Sequence, residues 1–457
     1  MSRRLTQISQ EERHRMMVSD PVRRLILRMA IPTVASQLIS VIYNTADTYF
    51  VSRLHDHSAS AAVGVVFSLM SVIQAFGFGI GMGVSSLIST KLGEKKDREV
   101  SVYASSSLAA AVLVGVAIMV LGLPLLSQLM RLLGATETIL PYARAYGRYI
   151  LMGAPLMCAS FVLNAILRAE GEARLSMIGL CTGGVLNILL DPLLIFKANM
   201  GITGAAVATV SSQMASFLIL LSFFLFKRSN IRLGLSAVST DPRCYGEIIR
   251  RGIPTVCRQG VASIATASLN TVAGAVGGDV AIASMTVANK LYTLVRNVIV
   301  GIGQGFQPVA GYNFGAGEKG RVRKAFWFTT ALGSGICLLA SILFFPLAET
   351  LIALFYNDPP VVSIGAEALR FTALVLPTMA YSTYVNQLYQ CLGYSGIASF
   401  LASCRQGIFF LPVIWLLPRV VGLAGVTAAQ PLADLVTCLV SIYFHVRFFK
   451  RVLRVDP

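Results

Sequence analysis

Ile31-Pro32-Thr33-Val34 recurs as Ile253-Pro254-Thr255-Val256, and that echo decides how the whole chain is read. The displacement from Ile31 to Ile253 also carries Gln37 onto Gln259. It carries Gly79, Gly81 and Gly83 onto Gly301, Gly303 and Gly305. It holds register for Pro155 and Pro377, Asn164 and Asn386, Gly171 and Gly393. Gly201 and Gly204 then meet Gly422 and Gly425 after the loss of one residue. The chain is therefore one unit duplicated, and a duplicated hydrophobic half is a frequent plan of secondary transporters.

Composition identifies the solvent. Hydrophobic residues make up 55% of the 457 and charged residues only 13%, against about 25% charged in an average soluble domain. One water-soluble core cannot hide that much apolar surface, so lipid must cover it. A run of about 20 apolar residues spans the hydrocarbon as a helix. By that measure the first copy holds six spans, at 25–51, 59–89, 102–123, 149–167, 175–196 and 202–226. The second holds six more, at 248–276, 280–312, 325–346, 369–391, 397–417 and 421–448. The expected fold is an all-α integral membrane protein of two pseudo-symmetric six-helix lobes around a central cavity. The expected divisions are a tail at 1–21, an N-lobe at 22–227, a connector at 228–246, a C-lobe at 247–449 and a tail at 450–457. Six spans per copy bring both copies into the membrane from the same side, so the repeats are parallel.

The formal net charge is +17. In a soluble protein that would suggest nucleic acid, but its placement gives it another meaning. Lys and Arg gather in the N-terminal tail, in 91–98, at Arg168 and Arg174, in 227–251, in 319–324 and in the C-terminal tail. The alternate connections hold only Arg53, Arg131, Arg144, Arg148, Lys197, Arg370 and Arg419. The positive-inside bias puts both termini in the cytoplasm of a multi-pass cell-membrane protein. No nucleic-acid partner is expected. All cysteines but Cys244 fall in predicted spans and none forms a CxxC pair, so neither a structural disulfide nor a zinc site is indicated. His55-Asp56-His57 alternates ligand types, but a solvated turn explains it better than a metal site, which needs more partners.

Ionised groups inside a bilayer are costly, by roughly 2.5–3.5 kcal/mol on insertion scales, so the few present need a reason. In the first copy Asp47 falls about one turn inside the outer end of its span and Asp191 falls at similar depth. Asn187 is one turn before Asp191 on the same helical face, and Thr209 in the next span reaches a matching level. This set can hold a proton between carboxylates or surround a dehydrated Na⁺ with oxygens. The acids could simply hydrogen-bond backbone near Pro192, but intramembrane carboxylates usually mark ion or substrate paths. Interhelical bonding would explain Asn187 and Thr209 alone as well. The second copy has Leu269 and Val413 where the first has Asp47 and Asp191. It carries Arg258 and Arg405 instead, each in a Cys-Arg-Gln-Gly run, with Asp434 in the last span as their counter-ion. A structural salt bridge explains that network as well as a coupling role does. Tyr43, Phe67, Tyr292, Phe306, Tyr381 and Tyr384 could face the cavity, where aromatic faces attract organic cations. Ordinary packing or an interfacial belt explains any single ring.

Taken together, these residues resemble the multidrug and toxin extrusion (MATE) family, and within it the MepA-like branch. The resemblance runs over nearly the whole chain. It is carried by Ile31-Pro32-Thr33 with Asp47 beyond it, and by Asn187 through Asp191. Gly303-Gln304-Gly305-Phe306-Gln307-Pro308 and Gly311-Tyr312-Asn313-Phe314-Gly315-Ala316 carry it in the second copy. It implies a V-shaped cavity that alternates between membrane faces, and export of small amphipathic, often cationic, drugs or dyes by antiport with H⁺ or Na⁺. It implies that Asp47, Asn187, Asp191 and Thr209 form an N-lobe cation site, and that Pro32 permits helix bending. Where some members carry a seventh-span acid, this chain has Arg258 and Gln259. Apart from the coupling ion no cofactor is expected, and the chain is expected to act as a monomer. A lipid-linked oligosaccharide flippase of related architecture is the alternative, since Arg258 and Arg405 would suit a pyrophosphate. An ion channel lacks a repeated filter or ring of charge, and no nucleophile–base set suggests an enzyme.

Overall fold

The computed structural model describes residues 10–54, 57–356 and 358–452, so His55 and Asp56 lie outside it. Every regular element among the described residues is helical. They are α1 (Gln10–Ser19), α2 (Val22–Ser52), α3 (His57–Gly93), α4 (Asp97–Gly122), α5 (Leu126–Leu132), α6 (Leu140–Ala169), α7 (Ala173–Pro192) and α8 (Gly201–Leu225). The second half has α9 (Pro242–Gly315), α10 (Lys319–Ala353), α11 (Pro359–Cys391), α12 (Ser395–Ser403), α13 (Phe410–Val421) and α14 (Leu423–Arg451).

Eleven of the described helical segments are long and apolar enough to cross a membrane. One of them, α9, has 74 residues, about 110 Å at 1.5 Å per residue, far more than a ~30 Å hydrocarbon core. It reverses at Gly278, where φ is 63° and ψ is −157°, a conformation open only to glycine. Its two arms are the seventh and eighth spans, which restores the expected twelve. The eleventh span is also composite: α12 and α13 join through a π-helical turn, Cys404–Ile408. The fifth span ends in another, Leu193–Lys197.

Two large core clusters form, one per lobe, with Ile73, Ile150, Leu163 and Ala206 in the first and Phe306, Phe326, Leu376 and Ile414 in the second. Leu25, Ile26, Met29 and Ala30 of α2 belong to the second cluster, so α2 begins against the C-lobe and ends in the N-lobe. The reason lies in the glycine string of α9. A Cβ on Gly305 would lie 2.6 Å from the Ala30 nitrogen, and one on Gly301 2.8 Å from the Val34 Cα. The Thr33 hydroxyl seals the approach by donating to Gly301 O at 2.6 Å. Leu113, Leu339 and Leu439, each about two-thirds exposed, mark the apolar outer surface that lipid would cover.

The lobes meet at the end that carries the basic segments. There a Cβ on Gly93 would lie 2.1 Å from Tyr312 O, and one on Gly315 2.1 Å from Thr90 O. The Ser86 hydroxyl donates to Gln390 O at 3.0 Å and Cys391 O at 2.9 Å, and Arg251 reaches Ser86 at 3.0 Å. The N-terminal segment, expected as a bare tail, forms α1 across this end. Its Arg13 pairs with Glu170 and, at 2.8 Å, with Glu172 of the N-lobe, while His14 bonds the Tyr312 hydroxyl at 2.8 Å. Burial raises the Glu172 carboxyl above its ordinary range despite the opposing pull of Arg13. About midway along α3 and the two arms of α9 a cavity of about 240 Å³ lies between the lobes, lined by Ser71 and Val72 of α3 and by Gln259, Ser263, Tyr292 and Arg296 of α9.

Candidate functional site

Four helices of the N-lobe bring a continuous polar chain together inside apolar surroundings. Helix α2 supplies Asp47, α6 Tyr146, α7 Asn187 and Asp191, and α8 Thr209. The Tyr146 hydroxyl is 3.4 Å from Asp47 Oδ2 and 3.5 Å from Thr209 Oγ1. The Asn187 amide nitrogen is 3.4 Å from Thr209 Oγ1 and 3.3 Å from Asp191 Oδ1. Tyr146, Asn187, Asp191 and Thr209 are buried. All four residues expected from sequence therefore join one network, linked by a tyrosine that sequence reasoning missed.

The chemistry of the groups fixes the direction of that chain. With Asp47 ionised, only the Tyr146 hydroxyl can donate between them, so Thr209 must donate to Tyr146 and Asn187 to Thr209. The second amide hydrogen of Asn187 goes to Asp191. Both ends of the chain are then acceptors. Asp47 Oδ1, Asn187 Oδ1 and Asp191 Oδ2 are buried with no hydrogen-bond partner among the described residues. Buried polar atoms are seldom left so. Three unmatched carboxylate and amide oxygens, with the unpaired hydroxyls of Ser212 and Ser216 on the same cavity, suit a proton or a small hard cation.

Beside this network lies an N-lobe cavity of about 40 Å³, lined by Ser36, Tyr43, Asn187, Thr209 and Gln213 among others. The C-lobe holds a larger one, about 180 Å³, lined by Arg258, Arg296, Arg405, Gln259, Asn386 and Thr437 among others. Gln37, Phe78 and Gln304 form a wall common to both. Arg168 of the N-lobe also bonds Gln304 of the C-lobe across that wall.

The expected C-lobe ion pair is half correct. Arg405 Nε donates to Asp434 Oδ1 at 2.8 Å. The same carboxylate accepts from Gln430 at 2.9 Å and, on Oδ2, from the Tyr292 hydroxyl at 3.0 Å. The Arg405 guanidinium also lies 5.4 Å from the centre of the Tyr292 ring. Arg258 takes no part: it has no hydrogen bond or ion pair among the described residues. Arg296 was overlooked, since one arginine in an apolar run reads only as a charge.

The aromatic expectations divide. Tyr43 lines the N-lobe cavity and Tyr292 the cleft between lobes, whereas Phe67 is about half exposed. Phe306 and Tyr384 are withdrawn as cavity residues, since both are wholly enclosed in the C-lobe core. A Cβ on Gly333 would lie 2.2 Å from the Tyr384 hydroxyl, so this ring fills a glycine notch on α10. Phe306 packs edge-on to Phe326. Tyr381 packs against Phe326 and His445. Pro32 lies within α2, which continues through it. It leaves the carbonyl one turn earlier without its helical donor.

Parallel helical repeats with an oxygen-lined pocket in one lobe are the architecture of an alternating-access carrier. The family model for MatE matches residues 32–193 and again 254–416, one match per lobe, each starting on the proline of the repeated motif. The chain belongs to the MatE family. It is 26% identical over 425 residues to the multidrug export protein MepA of Staphylococcus aureus (strain MRSA252), covering 92% of this chain and 93% of that protein. Its fold is similar to an outward-facing multidrug resistance MATE transporter of the MOP superfamily, with TM-score 0.90, 26% identity, and 95% and 98% of the two chains covered. It is equally similar to a MOP superfamily transporter from Pyrococcus furiosus Vc1, with TM-score 0.91, 26% identity, and 96% and 98% covered. That protein is described as having a binding pocket of reverse polarity that suggests a different function.

Proposed function

We propose that this chain is a multi-pass membrane antiporter that exports amphipathic drugs, cationic ones among them, in exchange for H⁺ or Na⁺. The observation that carries the reading is the Asp47–Tyr146–Thr209–Asn187–Asp191 chain, with its three unmatched acceptor oxygens in the N-lobe. The basic segments favour a cytoplasmic position for both termini. On that orientation the contacts between the lobes at Gly93, Gly315 and Ser86 lie on the cytoplasmic side, which supports reading the state as outward-open.

In this outward-open state the ion enters from outside and neutralises the acid pair. Neutralisation removes the negative charge that favours a cationic group in the adjoining N-lobe cavity, so the drug leaves. Opening inward releases the ion to the cytoplasm and restores drug affinity. Coupling requires only that ion and drug favour different states or exclude one another.

The test is dye efflux in everted membrane vesicles carrying the full chain. Uptake of a lipophilic cationic dye is expected with an imposed H⁺ gradient or an imposed Na⁺ gradient. Absence of uptake with both gradients, in vesicles shown to hold the folded protein, overturns the proposal.

A further inference from the structure

The C-lobe cavity has a composition that an exporter of simple cations would not need. Arg258 and Arg296 come from the two arms of α9 and Arg405 from the π-helical turn. No Asp or Glu lines the cavity with them. Arg258 lies within electrostatic reach of both other arginines and is repelled by each, while Asp434 lies within reach of Arg296. Asp434 compensates one charge through Arg405. Arg296 has no hydrogen bond or ion pair among the described residues, and neither has Arg258.

Unmatched atoms show where the missing charge belongs. Arg296 Nε and Arg405 Nη2 are buried donors with no acceptor among the described residues. They contrast with the N-lobe acid site, where Asp47 Oδ1, Asn187 Oδ1 and Asp191 Oδ2 are the unmatched oxygens. A guanidinium keeps its proton at any relevant pH, so these groups cannot escape by neutralising. Its planar fork fits a carboxylate or phosphate through paired hydrogen bonds. Three such forks at one cavity leave about two positive charges to be answered by something that enters from outside.

We propose that the C-lobe cavity is an anion subsite that takes the carboxylate or phosphate head group of an amphipathic substrate. The body of that substrate lies across Phe78, in the wall common to both cavities, and any cationic end points to the N-lobe. The favoured cargo is then a zwitterion or an amphipathic anion. The inference refines the export reading by naming a substrate class. It is tested by binding alone, so its failure is separate from a failure of transport.

Rhodamine 110 and rhodamine 123 share one cationic ring system and differ in a free carboxylate against its methyl ester. Binding of each to the purified full chain is measured by fluorescence anisotropy, for the parent and for Arg258→Gln and Arg296→Gln. These two arginines lack protein partners, so replacing them leaves no buried charge unpaired. Rhodamine 110 affinity is expected to fall about tenfold in each variant, equivalent to about 1.4 kcal/mol, with rhodamine 123 unchanged. Arg258→Lys, which keeps the charge without the fork, is expected to restore part of the loss. Competition by dioctanoyl phosphatidic acid that disappears in the same variants would make a bilayer phosphate the source of the head group. Competition by carboxylated amphipaths alone would make it a free organic anion. Equal rhodamine 110 affinity in the parent and both glutamine variants overturns the proposal.

Discussion

The same cavity occurs once in each lobe, and the duplication has filled the two copies with opposite chemistry. Ser36, Asn164, Gly183 and Gln213 line the N-lobe cavity. By the repeat they correspond to Arg258, Asn386, Arg405 and Asp434, of which the first three line the C-lobe cavity and the last pairs with Arg405. The acid site shows the reverse substitution. Asp47, Tyr146, Asn187 and Asp191 face Leu269, Ala368, Phe409 and Val413 in the second copy. One lobe thus keeps unmatched carboxylate and amide oxygens at its acid site, and the other unmatched guanidinium donors at its cavity. Pseudo-symmetry of backbone persists because it depends on glycine contacts and helix packing, which neutral and charged linings satisfy equally. Ion handling and recognition of a charged head group can then reside in different lobes of one rocking frame.

The harshest way to break that division is to remove the acids. Asp47→Asn and Asp191→Asn each keep the shape of the side chain while abolishing its charge, and efflux is expected to fall to the level of membranes without the protein. Size-exclusion profiles should remain those of the parent, because both sites already contain unmatched atoms. Parental efflux in both variants would place the coupling site elsewhere. On the C-lobe side, Asp434→Leu removes the carboxylate that holds Arg405, Gln430 and Tyr292. Breaking a buried ion pair from one side destabilises by about 3–5 kcal/mol. The melting temperature should drop sharply for this variant and recover in large part when Arg405→Leu is added. If the double replacement is no more stable than the single one, Asp434 has a role beyond balancing that arginine.

Sequence made the fold legible because the repeat is written in prolines and glycines, which the close approach of α2 requires at Gly301 and Gly305. Asp47, Asn187, Asp191 and Thr209 were also legible, since polar groups stand out in apolar runs. Tyr146 was not, because a tyrosine in such a run looks like core until its hydroxyl is seen between Asp47 and Thr209. Phe306 and Tyr384 failed for the opposite reason. Which face of a helix is enclosed depends on small residues of its neighbour, and Gly333 is far from Tyr384 in sequence. The passage of α2 from one lobe to the other was hidden likewise, because hydropathy records burial without saying against what.

The two cavities also differ in room, which gives a milder test. At the position of Arg405 the N-lobe has Gly183, whose added Cβ would lie 2.9 Å from the Ser216 Cβ and 3.1 Å from Ser212 O. Gly183→Leu should therefore strain the α7–α8 contact and destabilise by about 1–3 kcal/mol, the usual range for overpacking. Thermal melting of the purified protein measures it. An unchanged midpoint would mean that α8 yields freely, and that the N-lobe lacks its arginine for a reason other than space.

The finest distinction lies between two tyrosines that each donate to an aspartate. Tyr146 reaches Asp47 at 3.4 Å and Thr209 at 3.5 Å, whereas Tyr292 reaches Asp434 at 3.0 Å. A hydrogen bond to a charged group contributes about 1.5–3 kcal/mol, and the long contacts of Tyr146 belong at the weak end. Tyr146→Phe deletes the link that orders the donors between the two acids. It should reduce efflux by about tenfold, an effect worth about 1.4 kcal/mol, and move the ion dependence of transport while the melting temperature stays near the parent's. Tyr292→Phe loosens only the clamp on Asp434, so it should lower the melting temperature and leave the ion dependence where it was. If both variants shift the same quantity, the lobes share one task, and the opposite polarity of their linings is not a division of labour.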